Sequence, residues 1–192
     1  MIETFPPARY QDYGSNVAPA PELSSGPQIQ VITVGSGGQA NLSFTAIPQT
    51  FSAIEVLIAG RMTGSVTFNS LYMTINGDTT AANYDSSQNS YASGSTTTAA
   101  AIAATTSGMH VGYVVGVNGN ANAVSDLRVL IPGYAQSVLH KAVQAQYNGL
   151  ANTRHSGIAG GVWLSTAAIT QLDFPAPSGS WAEGTVAVLT GR

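Results

Sequence analysis

Apolar residues recur at every second position in short runs, and this alternation constrains the fold more than any other feature of the sequence. In residues 40–46, Leu42 and Phe44 fall on one side of an extended chain and polar residues fall on the other. Because side chains of a β-strand alternate between the two faces of a sheet, such a run predicts a strand with one buried face. Further runs of this kind occupy residues 54–58, 66–75, 111–117, 127–131, 138–147, 162–173 and 184–190.

Turn sequences separate these runs. Asn-Gly pairs occur in residues 76–78 and 118–120, and an Asn-Gly pair between apolar runs is the strongest short-range signal for a hairpin. About nine short strands with turns at this spacing predict an all-β chain folded as a two-sheet antiparallel β-sandwich. Residues 86–108, rich in Ser, Thr, Ala and Gly, are predicted to form a long loop, with a helical turn or two within 98–104.

The apolar positions of the runs predict the core. Between Phe68 and Leu71 the phase of the alternation changes, which predicts a bulge or bend near Asn69. The residues expected in the core are Leu42, Phe44, Val56, Ile58, Phe68, Met73, Ile75, Tyr113, Val115, Val129, Ile131, Trp163 and Leu189.

The N-terminal segment differs from the rest of the chain. Residues 1–27 contain five of the nine prolines, and proline fixes φ and cannot donate a backbone hydrogen bond, so an extended segment is expected. Phe5, Tyr10 and Tyr13 lie in it, and an extended arm with such rings can anchor a domain to a neighbour. The predicted organisation is therefore an anchoring arm, 1–27, followed by a β-sandwich domain, 28–192, with a loose leader as the alternative.

Charged residues are scarce. Only 8% of the residues are Asp, Glu, Lys or Arg, against about 25% in an average soluble domain. A weakly charged surface associates easily, so we expect much of it to be covered by neighbouring subunits. Six basic residues and a net charge of −3 argue against nucleic acid as a partner, because that binding needs clustered Lys and Arg.

Other classes of protein are disfavoured by what the sequence lacks. No apolar run approaches the roughly 18 residues of a membrane span, and the start of the chain has no secretory-signal pattern. We therefore expect a soluble protein made in the cytoplasm, with no membrane partner. The absence of cysteine excludes disulfides and thiolate metal sites.

Residue types suited to catalysis occur, but no arrangement of them indicates an enzyme. The chain has no G-x-S-x-G elbow, and His110, His140 and His155 are far apart in sequence. Glu55, inside an apolar run, is expected to face solvent or an interface, and the other acidic residues to lie at turns or strand ends. A glycosidase needs two facing carboxylates, and no pair stands out among Glu55, Asp78, Asp85, Asp126, Asp173 and Glu183. We expect no catalytic residues.

One loop has the composition of a cation site. Asp78 and Asp85 lie in residues 76–85 (NGDTTAANYD), and carboxylates with backbone carbonyls suit a hard cation such as Ca²⁺. The ligand spacing of an EF-hand is absent, so a hairpin turn with a following loop is the favoured interpretation. No phosphate-binding glycine frame is present either, and we expect no metal and no cofactor. Rings that could stack on sugars, with core packing the expected role for most, are Tyr72, Tyr84, Tyr91, Trp163 and Trp181.

Three longer stretches carry a family resemblance. They are residues 44–52 (FTAIPQTFS) with 71–78 (LYMTINGD), residues 129–135 (VLIPGYA) with His140 and Lys141 shortly after, and residues 169–174 (ITQLDF) with Trp181 and 188–191 (VLTG). In this order they resemble a module that recurs in virion proteins of tailed bacteriophages, namely capsid decoration or head-fibre proteins, minor tail proteins and tail fibres. The resemblance covers roughly residues 40–192. Family members tend to close on a Leu-Tyr-Gly-like tripeptide, where this chain has Leu-Thr-Gly.

The resemblance implies a β-sandwich of jelly-roll type, commonly a homotrimer, on the virion exterior after assembly in the host cytoplasm. Its implied partners are further copies of itself and other virion proteins, such as the major capsid protein or a tail protein. A single module behind a short arm suits a capsid decoration or head-fibre protein better than a tail fibre, which is normally long. The alternative is a tail-associated receptor- or carbohydrate-binding module, with a cell-surface glycan as partner.

Overall fold

The computed structural model describes residues 26–92, 98–102 and 108–192, and for residues 98–102 it describes the backbone. Nearly all regular structure in these residues is β-strand, and the one short 3-10 turn is Ala81–Asn83. No helix in the described ranges has the length and hydropathy needed to cross a membrane. The strands are β1 (Gln28–Thr33), β2 (Asn41–Phe44), β3 (Ala53–Gly60), β4 (Phe68–Ile75), β5 (Tyr84–Ala92), β6 (Thr98–Ile102), β7 (Met109–Val115), β8 (Ser125–Pro132), β9 (Lys141–Leu150), β10 (Arg154–Trp163), β11 (Leu172–Pro175) and β12 (Val186–Gly191).

The strands form two sheets, and every described pair is antiparallel. The large sheet has the order β1-β12-β3-β8-β9-β10-β5-β6, and the small sheet has the order β2-β11-β4-β7. The predicted all-β, two-sheet antiparallel sandwich is confirmed.

The path of the chain gives the sandwich its jelly-roll winding. From β2 onward the chain alternates between the sheets, passing from β2 to β3, β4, the β5–β6 pair, β7, the β8–β9–β10 meander, β11 and β12. Strands close in sequence are thus often far apart in their sheet, as in a double Greek key. The position between β3 and β5, which a single strand fills in an eight-stranded jelly roll, holds the three strands of the meander. This insertion widens the large sheet.

The core lies between the sheets and contains most of the predicted residues. Eleven of the thirteen predicted core residues are buried, and Phe68 and Tyr113 are half-buried. Trp181, Tyr134 and Phe174 are among the largest fully buried side chains. The Trp181 indole N–H donates to the Phe174 carbonyl oxygen at 2.8 Å, so this ring is buried with its polar group satisfied.

The phase change near Asn69 has a different cause from the predicted bulge in β4. Leu71 and Met73 are fully buried in the core, whereas Phe68, on the other side of the strand, packs edge-on against His155 of β10 at 5.1 Å between ring centroids. Both sides of the β4–β7 pair are therefore covered. The register shift in this pair lies between Leu71 and Tyr72, and the extra residue, Val111, is on β7.

Two segments differ from the predictions. The predicted loop 86–108 contains most of β5 and all of β6, so the predicted helical turn at 98–104 is wrong and a strand occupies 98–102. β6 is held by its ladder with β5, a nonlocal interaction that its Thr-Ala composition does not signal. The run 162–173 is likewise not one strand, because β10 ends at Trp163 and β11 begins at Leu172.

The predicted arm lies almost wholly outside the described residues. Phe5, Tyr10 and Tyr13 are outside them, so the prediction that they anchor the protein stays a prediction. The described chain joins the sandwich at Pro27, whose carbonyl oxygen accepts a hydrogen bond from the Gly191 N–H at 3.0 Å.

Candidate functional site

The outward side of the large sheet forms a broad surface with little charge. Inward residues of β9 such as Val143 and Ala145 are buried, so the alternate residues point outward. The ladders place the outward residues of β9, β10 and β5 side by side. The central part of this array, which we call the polar face, consists of Gln144, Gln146, Asn148, Ser156, Ile158, Gly160, Ser87, Asn89 and Tyr91, and the exposed outward residues Asp85 and Arg154 lie at its two ends. None of the residues of the polar face is Asp, Glu, Lys, Arg or His, and Ile158 and Tyr91 are 57% and 47% exposed.

An apolar strip lies beside the polar face, across β8. Leu57 of β3 is paired with Val188 of β12, which is paired in turn with Val31 of β1. Asp126 and Arg128 of β8 separate this strip from the polar face. A shallow depression of about 360 Å³ is lined by Leu57, Val188, Asp126 and Arg128, together with neighbouring residues. The outer side therefore combines apolar and amide-rich areas, with charged residues between them (Asp126 and Arg128) and at the ends of the polar face (Asp85 and Arg154).

Glu55 is buried under this surface, which corrects the expectation that it faces solvent or an interface. Its side chain is 1% exposed. The Arg128 guanidinium donates to one carboxylate oxygen of Glu55, and Arg192 donates to the other at 2.5 Å. Glu55 does point to the outer side of the sheet, as expected, since its neighbours Ile54 and Val56 face the core. The two arginines cover the carboxylate.

A second cluster, of histidine and tyrosine rings, lies where β7 packs on the large sheet. His110 of β7 lies between the rings of Tyr72, at 5.3 Å, and Tyr113, at 5.1 Å. Tyr113 stacks on His155 of β10 at 4.3 Å, and Tyr147 of β9 packs against both. We call these five residues the histidine cluster.

Glycine makes room for the tyrosine of β9 in this cluster. Gly112 of β7 has φ +145°, and a Cβ there would lie 2.6 Å from the Tyr147 ring. A Cβ on Gly157 of β10 would lie 2.5 Å from the Tyr147 hydroxyl oxygen. Both strands thus approach Tyr147 more closely than any residue with a side chain permits.

Burial sets the protonation of the cluster. Desolvation, with a smaller contribution from the charge of His155, lowers the pKa of His110 to about 4. Desolvation also lowers the pKa of His155 and raises the pKa of Tyr147 to about 12. At neutral pH His110, His155 and Tyr147 are therefore uncharged, as their apolar surroundings require.

The loop with Asp78 forms a hydrogen-bonded turn. One carboxylate oxygen of Asp78 accepts from the Trp163 indole N–H and from the Asn83 amide, each at 2.8 Å. The other accepts from the Thr80 backbone N–H at 2.9 Å. Burial opposes ionisation of Asp78, but these hydrogen bonds outweigh it and lower the pKa below 3.8. Asp85 is exposed on the outer side of β5, so the turn does not bring the two carboxylates to one point.

The remaining candidate residues are dispersed. Asp173 is buried and accepts from Asn41 at 2.9 Å and from Gln171 at 2.8 Å, while Asp126 and Glu183 are exposed at separate places. Within the described ranges, no three His, Asp or Glu side chains cluster closely enough to hold a metal ion.

The aromatic residues considered for sugar stacking are mostly interior. Trp163, Trp181 and Tyr84 are buried, Tyr72 is half-buried, and Tyr91 is exposed. Their expected role in packing is confirmed for the three buried rings. Among the described side chains, Tyr91 is the one large aromatic residue on the surface.

Sequence reasoning missed both buried clusters. No local pattern connects Glu55 with Arg192, or His110 with His155, because the sheets bring these residues together from distant parts of the chain. The one sequence feature that could have indicated the buried ion network is the position of Glu55, a charged residue inside an apolar run.

Comparisons with known proteins add no relative. No protein-family model, curated protein or solved structure matches the chain.

Proposed function

We propose that this protein is a structural component of a tailed-bacteriophage virion, a capsid decoration or head-fibre protein on the particle exterior. The observation that carries the proposal is the outer side of the large sheet. The nine neighbouring residues of the polar face bear no charge, and the charged outward residues Asp85 and Arg154 lie only at its ends, although exposed surfaces of monomeric proteins are usually rich in charge. A surface of this kind is suited to contact with other subunits, including copies of the same chain.

The fold and the sequence agree with this proposal. The jelly-roll winding is the fold that the three family-like stretches imply, and jelly rolls are common in viral capsid proteins. The candidate chemical residues are dispersed or engaged in hydrogen bonds, as described above. A structural role requires no reacting group.

The outer edge of β1 offers a second means of assembly. Among the described strands, β1 is at one end of the large sheet, and its sequence, QIQVIT, contains no charged residue and no proline. Edge strands usually carry such residues, which prevent pairing with another chain. An extended segment of a neighbouring subunit can add to an edge of this kind.

The N-terminal segment is proposed to anchor the domain to the particle. Phe5, Tyr10 and Tyr13 would enter pockets of a capsid or tail protein while the extended backbone pairs with a sheet edge. Removing residues 1–25 keeps Pro27 and its bond to Gly191, so the shortened chain should fold as judged by circular dichroism. It should no longer bind particles that lack the protein, whereas retained occupancy would contradict the anchoring role.

Antibody labelling tests the location. Antibodies against the purified protein, applied to intact particles of the phage that encodes it, should label the outside of the head in electron micrographs. Labelling at the tail tip would favour the receptor- or carbohydrate-binding alternative, for which Tyr91 on the polar face is the available stacking ring. Absence of label from intact particles, with label in the same infected lysate, would contradict a virion protein.

A further inference from the structure

The histidine cluster contains a buried titratable group without a hydrogen-bond partner. His110 is 1% exposed, and neither of its ring nitrogens has a partner within the described residues. Its contacts are with the faces and edges of aromatic rings. Buried polar atoms are nearly always paired in folded proteins, so this unpaired imidazole has a cost that an apolar residue would avoid.

The surroundings of His110 contain tyrosines and a second histidine but no acid. β4 contributes Tyr72, β7 Tyr113, β9 Tyr147 and β10 His155. On β5 the inward residues near the cluster are Gln88, whose amide donates to the Tyr113 hydroxyl at 3.4 Å, and Ser90. Residues 93–107, which connect β5 with β7, contain no ionisable side chain. No neighbouring element therefore supplies a carboxylate that could pair with a charged imidazole.

We propose that His110 and His155 form an acid-sensitive latch, which holds β7 against the large sheet while both rings are neutral and releases it when they are protonated. Protonation would place two like charges on either side of the Tyr113 ring, in a site with low polarity. A buried charge without a partner is strongly unfavourable. β7 is the end strand of the small sheet and its one described ladder is with β4, so its release from the large sheet has to separate this single ladder, which exposes the β7 amides.

The pH range of the latch follows from the direction of the shifts. The pKa of His110 is lowered to about 4 from the ordinary 6.5, and the pKa of His155 is lowered as well. The open state then binds more protons than the closed state as the pH falls below 6.5. The stabilisation that holds β7 against the large sheet is fully present above about pH 6.5, decreases as the pH falls, and is lost near pH 4.

Hydrogen exchange tests the latch. Exchange of the full-length protein is followed by mass spectrometry at pH 7 and pH 4.5 and corrected for the intrinsic pH dependence of amide exchange. Protection of β7 amides should fall at least about tenfold between the two conditions, while amides of β3 and β8 keep their protection. His110→Phe, which retains an aromatic ring between Tyr72 and Tyr113, should remove most of this pH dependence.

Two further variants keep the test decisive. His155 is half-buried, so His155→Gln should fold even where His110→Phe does not, and it should reduce the acid-induced loss of β7 protection. The exposed His140 provides the matched control, and His140→Gln should behave as the unmodified protein. The proposal is overturned where β7 stays protected at pH 4.5, where β3 and β8 lose protection together with β7, or where His155→Gln leaves the loss unchanged.

Discussion

The guanidinium of Arg192 lies 2.5 Å from a carboxylate oxygen of Glu55, in the middle of β3. Glu55 is almost completely buried, whereas the side chains of Arg192 and Arg128 are 26% and 42% exposed. The carboxylate is thus the buried member of a three-residue ion network, and the arginines cover it from the solvent side. The network joins β3, β8 and the residue that follows β12, three neighbouring parts of the large sheet.

This geometry predicts that the two arginines substitute for each other. Arg128→Met or Arg192→Met alone should lower the free energy of unfolding by about 1 kcal/mol, because one cation remains on Glu55. The double variant leaves a buried carboxylate without a cation and should lose about 3 kcal/mol or more, exceeding the sum of the single losses. Urea denaturation measures all four proteins. A double loss equal to the sum would show that the arginines do not compensate for each other.

The turn at Asp78 is predicted to be structural. Asp78→Ala leaves the buried Trp163 indole N–H without its acceptor and should cost about 2 kcal/mol, while Asp85→Ala at an exposed site should change stability by less than about 0.5 kcal/mol. The lowered pKa of Asp78 means that its stabilisation is complete above pH 3.8 and is lost as the pH falls through the lower value in the folded state. In an acid titration followed by Trp fluorescence, Asp78→Ala should therefore lose less stability below about pH 4 than the unmodified protein loses. Equal behaviour of the Asp78 and Asp85 variants would contradict this role.

Close approach of two strands is predicted to make Gly157 intolerant of a side chain. A Cβ there would lie 2.5 Å from the Asn89 carbonyl oxygen and from the Tyr147 hydroxyl, so Gly157→Ala should lower the free energy of unfolding by about 1–3 kcal/mol. Gly35 has open space around its Cβ position, and Gly35→Ala should be nearly neutral in the same denaturation experiment. Equal stability of the two variants would mean that β10 can move away from β5 at no cost.

Assembly through the polar face is predicted to be sensitive to charge there. Ile158→Glu places a carboxylate at a residue that is 57% exposed on β10, and it should shift the protein towards monomers, because burying an unpaired charge is costly. Val138→Glu makes the same change at a loop residue that is 77% exposed and should leave assembly unchanged. Analytical ultracentrifugation distinguishes the two, and dissociation by both variants or by neither would remove the polar face as the contact surface.

The sequence predicts the fold where one face of a strand is apolar. Leu42 and Phe44, or Leu127 and Val129, alternate with polar residues, and all four are buried. β10 is not predicted in this way, because Gly157 and Gly161 occupy inward positions where an apolar side chain would show the pattern. Neighbouring chain atoms leave no room for side chains there. β6 is not predicted either, because its Thr-Ala sequence has no alternating pattern and forms a strand through its ladder with β5.

The two buried clusters could not be predicted for a related reason. Glu55 and Arg192 are 137 positions apart, and the contact depends on the ladder of β3 with β12. His110 and His155 come together only because β7 packs across β10. In both cases sheet topology creates the contact, and no spacing along the chain encodes it. The polar face could be anticipated only as a scarcity of charge, and its position follows from the sheet register.

The mass of the full-length protein in solution tests the proposed assembly most directly. Light scattering coupled to size-exclusion chromatography should give a single species near three times the chain mass of 19.6 kDa, constant across the elution peak and on dilution. A monomer at all concentrations would contradict a protein built for self-assembly through a low-charge surface. A monomeric result would instead favour a glycan-binding surface formed by Tyr91 and its neighbours.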